Sequence, residues 1–229
     1  YPDKPLRQQI GQRMTPNLQR LADRSVNFTS AYCAAPACNP SRAALMTGIR
    51  PHRSGLTTNE RGIFFRDWEY QGHKPLANAV TLPELLKQHG WYTASTGKIY
   101  HSNSSFAASD GNRSWTSWTN VKGDAGERVR GRFSPEGLDW GQEGDDDATY
   151  TDLNDYRKAG FIASVLRDGS ATNGDHTFAL PEGKPFFLAC GIYRPHLPFY
   201  ATKDLLDLFP TDEMHITRDL LEQFMADAG

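Results

Sequence analysis

Residues 185–193 read PFFLACGIY, a continuous apolar run between Lys184 and Arg194. Such a run predicts a strand that is buried on both faces, because a strand with one solvated face alternates apolar and polar residues. Strands of this kind lie inside parallel sheets that helices cover on each side. This stretch therefore favours an α/β fold.

The segments that precede this run alternate between predicted helices and strands. Alternating polarity predicts strands over 26–32 and 91–95. Periodic apolar residues, with Gly48 and Gly90 as stop signals, predict helices that begin at Thr15 and then cover 41–47, 82–89 and 152–166. Two prolines predict an irregular chain over 34–40. The alternation predicts an α/β sheet that is at least partly parallel.

Composition limits the possible partners. The 229 residues suffice for one large α/β domain or two small ones, and 38% hydrophobic residues are enough for a core. The formal net charge of −2 gives no bulk field that would attract nucleic acid or an anionic membrane surface. No apolar run approaches the ~20 residues that a membrane span requires. An anionic ligand would have to be held by a local cluster.

Residues 102–147 are rich in Gly, Ser, Asn and Asp, yet they also contain tryptophans. Tryptophans are uncommon in flexible linkers, so the stretch is predicted to be a long surface insertion that carries the substrate specificity. Its alternating arginines either line a groove for a sulfated glycan or form an exposed edge strand. Those arginines are Arg128, Arg130 and Arg132.

The three cysteines, Cys33, Cys38 and Cys190, are too few for a disulfide scaffold in a chain of this length. Residue type alone favours buried thiols or one disulfide between Cys33 and Cys38. The neighbours of Cys38 point to chemistry instead. Cys38 is predicted to lie at a helix N-terminus, where unpaired N–H groups and the helix dipole favour an oxyanion such as sulfate. Arg42, one turn along, can add donors there; the alternative is a helix capped by Ser41 with Arg42 in solvent.

Residues 38–48 read CNPSRAALMTG and resemble the signature of the formylglycine-dependent sulfatases, Cys-x-Pro-Ser-Arg followed by a short apolar stretch and Thr-Gly. Met46 and Ile49 depart from the usual Leu and Arg. The resemblance implies that a maturation enzyme oxidises Cys38 to 3-oxoalanine, known as formylglycine. One hydroxyl of its hydrate would attack sulfur and the other would later expel sulfate. It also implies an alkaline-phosphatase-like sandwich, with a mostly parallel central sheet and helices on both faces, that is incomplete in this chain.

A second segment, Gly97-Lys98-Ile99-Tyr100-His101, is similar to the Gly-Lys followed by His that sulfatases carry after a central strand. Its Lys-x-x-His spacing is typical of the subgroup that includes the iduronate 2-sulfatases and bacterial relatives. The resemblance implies that Lys98 neutralises a sulfate oxygen and that His101 takes a proton when the hemiacetal collapses.

A third segment, Tyr193-Arg194-Pro195-His196-Leu197-Pro198-Phe199, resembles the Lys-Pro-His-x-Pro-Phe segment of the same subgroup. Prolines on both sides of one His restrict its backbone, as a general acid requires. His196 is predicted to protonate the leaving oxygen, and Arg194 to contact sulfate or another part of the substrate.

The resemblance further implies one divalent cation, generally calcium, bound by the formylglycine from Cys38 and by two acidic pairs that this chain lacks. Residues 1–229 are therefore predicted to be the N-terminal catalytic part of a longer sulfatase, with both ends cut. The predicted function is hydrolysis of a sulfate ester of a carbohydrate. The predicted location is periplasmic or secreted, or lysosomal in an animal.

Two other functions remain open at this point. Phosphonate and phosphate ester hydrolases of the same superfamily share the Cys-x-Pro-Ser-Arg signature, and tetrahedral oxyanions of sulfur and phosphorus differ little in shape. A non-catalytic relative could instead bind a sulfated glycan with Cys38 kept as a thiol.

Overall fold

The computed structural model describes residues 15–59, 76, 78–101, 110–119, 129–133, 140–209, 218 and 222. The chain forms two compact units, Tyr1–Cys33 and Ala34–Gly229. In the first, helix α1 spans Pro16–Ala22 and follows Thr15, as predicted, although the Thr15 side chain makes no capping hydrogen bond. The strand predicted over 26–32 does not form. Alternating polarity is not sufficient for a strand, because a strand is stable only when a neighbour pairs with it.

The second unit contains the other described helices and all of the described strands. Its helices are α2 (Cys38–Thr47), α3 (Pro51–Ser54), α4 (Leu82–Gln88), α5 (Asn112–Ser114), α6 (Asn154–Asp168) and α7 (Lys203–Leu206). Its strands are β1 (Tyr92–Gly97), β2 (Ser117–Thr119), β3 (Val129–Phe133), β4 (Trp140–Glu143), β5 (Ser170–Asn173), β6 (His176–Ala179), β7 (Phe186–Gly191) and β8 (Phe199–Ala201).

The central sheet has the strand order β2-β1-β7, and both pairings are parallel. Side chains of β7 alternate between two apolar clusters. Phe187 and Ala189 pack on the cluster that contains Ala43 of α2, whereas Leu188 and Cys190 pack on the cluster that contains Phe161 of α6. Helices thus pack against both faces, which explains why residues 185–193 carry apolar side chains without alternation. The predicted burial is incomplete, since no residue of β7 is fully buried and Phe186 is 41% exposed.

Helix α2 begins at Cys38, three residues before the predicted helix start and within the segment predicted to be irregular. That prediction was wrong because Pro40 lies in the first turn, where a backbone N–H has no intrahelical partner and proline is tolerated. Gly48 ends the helix at φ 72°, as predicted. The placement of Cys38 at the helix start is confirmed.

Part of the predicted insertion belongs to the core. Trp115 is only 1% exposed, and β2 is a strand of the central sheet. The prediction of a surface insertion was therefore wrong for residues 110–119. Further on, β3 and β4 pair antiparallel, and β4 pairs in parallel with β8. Arg130 and Arg132 lie in β3, while Arg128 lies outside the described residues.

Among the described residues, Cys33, Cys38 and Cys190 form no disulfide bond, so the structure does not show the disulfide between Cys33 and Cys38 that the sequence left open. Across the part of the chain that the structure describes, no helix has both the length and the apolar character that a membrane crossing requires.

Candidate active site

The candidate site lies where β1 and β7 end side by side. Because the strands are parallel, the segments that follow Gly97 and Gly191 leave the same edge of the sheet. The Lys98 N–H donates to the Gly191 carbonyl oxygen over 2.8 Å. A β-carbon on Gly191 would overlap the Lys98 backbone, and one on Gly97 would overlap the Gly191 carbonyl oxygen. Glycine at both positions therefore allows the two segments to meet.

Cys38 is half-buried at the first position of α2. The N–H groups of the first turn are less available than the sequence predicts. The Asn39 N–H donates to Asn59 Oδ1 over 2.8 Å, Pro40 has no N–H, and the Ser41 N–H donates to the Ala37 carbonyl oxygen over 3.1 Å. Direct donation to an oxyanion by the backbone of Asn39, Pro40 and Ser41 is therefore limited.

Arg42 joins α2 to the segment after β1. Its Nη1 donates to the carbonyl oxygens of Lys98, over 2.6 Å, and Ile99, over 3.1 Å. The alternative of an Arg42 side chain left in solvent is thus excluded. These bonds fix the segment that carries Lys98 and His101 against the start of the helix that carries Cys38.

Lys98 is a buried cation, with 8% of its surface exposed. Burial lowers the pKa of its ammonium, the nearby Cys38 sulfur raises it, and Arg42 lowers it, with a net decrease. Its Nζ lies 4.6 Å from the centre of the Tyr193 ring, so the segment after β7 contributes to the Lys98 environment.

His101 is partly buried, and its Nδ1 is a buried atom without a hydrogen-bond partner among the described residues. Burial lowers the pKa of His101, and the charges of Lys98, His196 and Arg42 lower it further. The neutral imidazole is favoured, which is the form that accepts a proton.

His196 lies in a tight turn after β7. Its N–H donates to the Tyr193 carbonyl oxygen over 3.1 Å, and its Nδ1 lies 2.7 Å from the Leu197 carbonyl oxygen. Because a carbonyl oxygen only accepts, Nδ1 carries a proton, and Nε2 is the ring atom left to exchange a proton with a ligand. The Arg194–Pro195 and Leu197–Pro198 peptide bonds are cis.

The Arg194 side chain makes two hydrogen bonds within the protein. Its Nη2 donates to Glu143 Oε2 over 2.7 Å, and its Nη1 donates to the Pro198 carbonyl oxygen over 2.8 Å. Its Nε is buried and has no hydrogen-bond partner among the residues described. The guanidinium thus connects the His196 turn to strand β4. A contact between Arg194 and substrate stays a prediction.

Asp155 and Lys158, at the start of α6, did not stand out in the sequence. One carboxylate oxygen of Asp155 accepts the N–H of Arg194 over 2.8 Å, and both oxygens accept that of Tyr193 over 2.9 and 3.0 Å. Lys158 Nζ lies 3.3 Å from Asp155 Oδ1. The sequence did contain one indication of their importance. Both residues lie at helical spacing from the apolar Ile162 and Val165, and charged side chains on an apolar helix face need partners.

Within the described ranges, no group of three or more His, Cys, Asp and Glu side chains could hold a metal ion. Calcium prefers six to eight oxygen ligands, so the described residues do not by themselves fit the predicted cation.

A family model described as Sulfatase matches residues 8–223, nearly the whole chain. This chain belongs to the sulfatase family. A protein named Sulfatase from Formosa agariphila is 31% identical over 210 residues, which cover 87% of this chain and 38% of that protein. Human iduronate 2-sulfatase is 27% identical over 218 residues, which cover 90% of this chain and 35% of that protein. The chain thus spans little more than a third of the length of these sulfatases.

Among solved structures, the chain resembles a protein in complex with its substrate D-glucosamine-2-N,6-O-disulfate. The TM-score is 0.56 and the identity 21%, over 90% of this chain and 35% of that one. This likeness confirms the predicted alkaline-phosphatase-like α/β fold. The resemblance to the sulfatases and to the iduronate 2-sulfatases among them is likewise confirmed.

Proposed function

We propose that this protein hydrolyses sulfate esters of a sulfated carbohydrate, with Cys38 as the precursor of the nucleophile. The observation that carries the proposal is the convergence of the three motif segments on one edge of the central sheet. Cys38, Lys98 and Arg42 lie close enough for their charges to affect one another, and Lys98, Arg42 and His196 all act on His101. The family matches support sulfate as the group that is removed.

Cys38 suits conversion to formylglycine by a maturation enzyme. It is a free thiol, it begins the Cys-x-Pro-Ser-Arg segment, and it faces a buried ammonium. Formylglycine, once formed, would supply a hydrated aldehyde with two hydroxyl groups on one carbon.

The surrounding side chains have complementary roles in this proposal. Lys98 neutralises a sulfate oxygen, and its burial strengthens that interaction because the local dielectric is low. Arg42 holds the Lys98 segment through its bonds to the Lys98 and Ile99 carbonyl oxygens and presents positive charge to the same place. Both cations favour an anionic substrate over a neutral one.

The two histidines divide the proton transfers. His196 gives a proton from Nε2 to the leaving alcohol while Nδ1 stays bonded to the Leu197 carbonyl oxygen. His101, whose neutral form is favoured, accepts a proton when sulfate is released. Arg194 is proposed as a substrate contact because it stands in the segment that resembles the Lys-Pro-His-x-Pro-Phe segment of the subgroup.

The family resemblance implies one calcium ion, with ligands that would include the formylglycine and carboxylates outside the described residues. We assign no step to it. A periplasmic or secreted location, or a lysosomal one in an animal, stays a prediction.

The test uses the full-length protein produced with and without a formylglycine-generating enzyme. Mass analysis of the Cys38 peptide should show the aldehyde only in the first sample, and only that sample should release sulfate from sulfated glucosamine and an aryl sulfate. Cys38→Ser, made in a host that modifies only Cys, should lose at least about 1000-fold in activity, because the nucleophile is absent. A chelator should inactivate the converted enzyme, and added calcium should restore it. Cys33→Ser, at an exposed thiol, is the matched control.

The same assay separates the alternatives. Faster hydrolysis of an aryl phosphate or phosphonate than of the aryl sulfate would favour the phosphate ester hydrolases. Tight binding of a sulfated glycan by a protein whose Cys38 remains a thiol, without sulfate release, would favour a binding protein.

A further inference from the structure

We propose that Asp155 is a positioning residue for the catalytic turn: its carboxylate holds the backbone of Tyr193 and Arg194, so that the Tyr193 ring supports the His196 imidazole. The inference rests on the proposed function and assigns a role to a helix residue outside the three motif segments.

The Asp155 carboxylate accepts hydrogen bonds from two backbone groups and one side chain. It receives the N–H groups of two successive residues, Tyr193 and Arg194, at 2.8 to 3.0 Å, and Lys158 Nζ at 3.3 Å. Bonds to an ionised carboxylate are stronger than neutral ones. Asp155 is 9% exposed, so loss of the carboxylate would leave these donors without a solvent replacement.

The Tyr193 side chain extends from the backbone that Asp155 holds towards two residues of the candidate site. The Tyr193 ring lies 4.6 Å from Lys98 Nζ and, centre to centre, 4.9 Å from the His196 ring. Its hydroxyl donates to the Leu197 carbonyl oxygen over 2.9 Å, and that oxygen also accepts from His196 Nδ1. Tyr193 therefore contacts the cation at the end of one strand and the imidazole that follows the other.

Lys158 is buried between Asp155 and Gly97. It is 2% exposed, and its stem reaches Gly97, where a β-carbon would lie 3.2 Å from Lys158 Cδ. Its ammonium balances the Asp155 charge, which matters because an unpaired buried charge is costly. The Asp155–Lys158 pair therefore contacts both turns: Asp155 bonds the backbone of Tyr193, and the Lys158 side chain packs against Gly97.

The experiment compares Asp155→Asn with wild type in the full-length, formylglycine-containing protein. Asparagine keeps the shape but not the charge, and its amide group cannot accept from every donor. Hydrogen–deuterium exchange should speed up about 10-fold in a peptide covering 192–197, with little change in one covering 186–190, whose amides stay in the sheet. The value of kcat on an unactivated sugar sulfate should fall about 30-fold, and that on an activated aryl sulfate much less, because only the poor leaving group needs the proton from His196.

Asp168→Asn is the matched control, since Asp168 ends the same helix as a largely exposed partner of Arg167. It should change neither exchange nor activity. Should Asp155→Asn fail to fold, Tyr193→Leu removes the ring and keeps the backbone bonds to Asp155. In Tyr193→Leu, hydrogen–deuterium exchange of 192–197 should stay slow, while kcat falls on the unactivated sugar sulfate and much less on the activated aryl sulfate.

Unchanged exchange at 192–197 in Asp155→Asn, or equal loss on both substrates in either variant, would overturn the positioning role. If wild type hydrolyses no sulfate ester, the proposed function fails, and the exchange result alone decides whether Asp155 holds the turn.

Discussion

The turn after β1 and the turn after β7 leave the same sheet edge, and each carries a histidine in a different environment. His101 has a buried Nδ1 with no hydrogen-bond partner in the described part of the chain, and burial together with the charges of Lys98, His196 and Arg42 favours its neutral form. His196 has its Nδ1 bonded to a carbonyl oxygen, which keeps a proton on that atom. Residue type alone does not set which nitrogen of a histidine carries a proton; the groups around each ring do.

The largest expected effect comes from separating the two turns. Gly191→Ala places a β-carbon on the Lys98 backbone, and overlap with backbone atoms cannot be relieved by a side-chain rotation. The free energy of unfolding should fall by about 3 kcal/mol. Gly160→Ala is the control, because a β-carbon there meets no atom within 4 Å; it should stabilise α6 by about 0.5 to 1 kcal/mol. Equal unfolding curves for Gly191→Ala and wild type would contradict the close approach.

The next effect sharpens the role of His196. His196→Gln should lower kcat on unactivated sugar sulfates by about 100-fold and on activated aryl sulfates by less than about 3-fold, because a good leaving group needs no proton. Steady-state rates on both substrates test this, with the exposed His176→Gln of β6 as the control. A similar loss on both substrates would show that His196 only positions the substrate or supports the fold.

His101→Gln should have a smaller effect, about 10-fold, and one that is equal for both substrate types. Its proposed step follows departure of the alcohol, so the first turnover should show a burst of alcohol and then slow release of sulfate. Rapid-mixing kinetics can record this burst. A loss that depends on the leaving group would instead place His101 in the first step.

The smallest expected effect is on acid stability. The pKa of His101 is lowered in the folded protein, so below about pH 6.5 the unfolded chain binds a proton that the folded protein does not. Stability is therefore lost as the pH falls through that value towards the lower pKa of the folded state. Unfolding curves at pH 7 and pH 5 should show a smaller acid loss in His101→Gln than in wild type. An identical loss would contradict the lowered pKa.

Features that depend on local sequence were predictable. The apolar residues of β7, the position of Cys38 at the N-terminal end of a helix and the stop at Gly48 follow from short patterns with a direct physical cause. The exact first residue of that helix did not. The family and its fold followed from the Cys38 segment, since its mixed residues at fixed spacing rarely arise together.

Features that depend on distant partners were not predictable. The N–H of Asn39 is bonded by Asn59, twenty residues away, so the helix start offers fewer free donors than the sequence suggested. Trp115 read as part of a surface insertion because the polar residues around it dominate the pattern, yet it packs in the core beside Phe187. No motif in the sequence includes Asp155, and only the fold shows that its carboxylate accepts the Tyr193 and Arg194 N–H groups.

The pairing of β4 with β8 has a consequence for how this part of the fold can diversify. Strand β8 begins at Phe199, directly after the His196 turn, and main-chain pairing attaches the β3–β4 hairpin to it. Main-chain pairing makes little demand on side-chain identity, apart from the exclusion of proline. Apart from Glu143, which bonds Arg194, the side chains of β3 and β4 can therefore change over evolutionary time while main-chain pairing keeps β4 attached to the strand that follows the His196 turn.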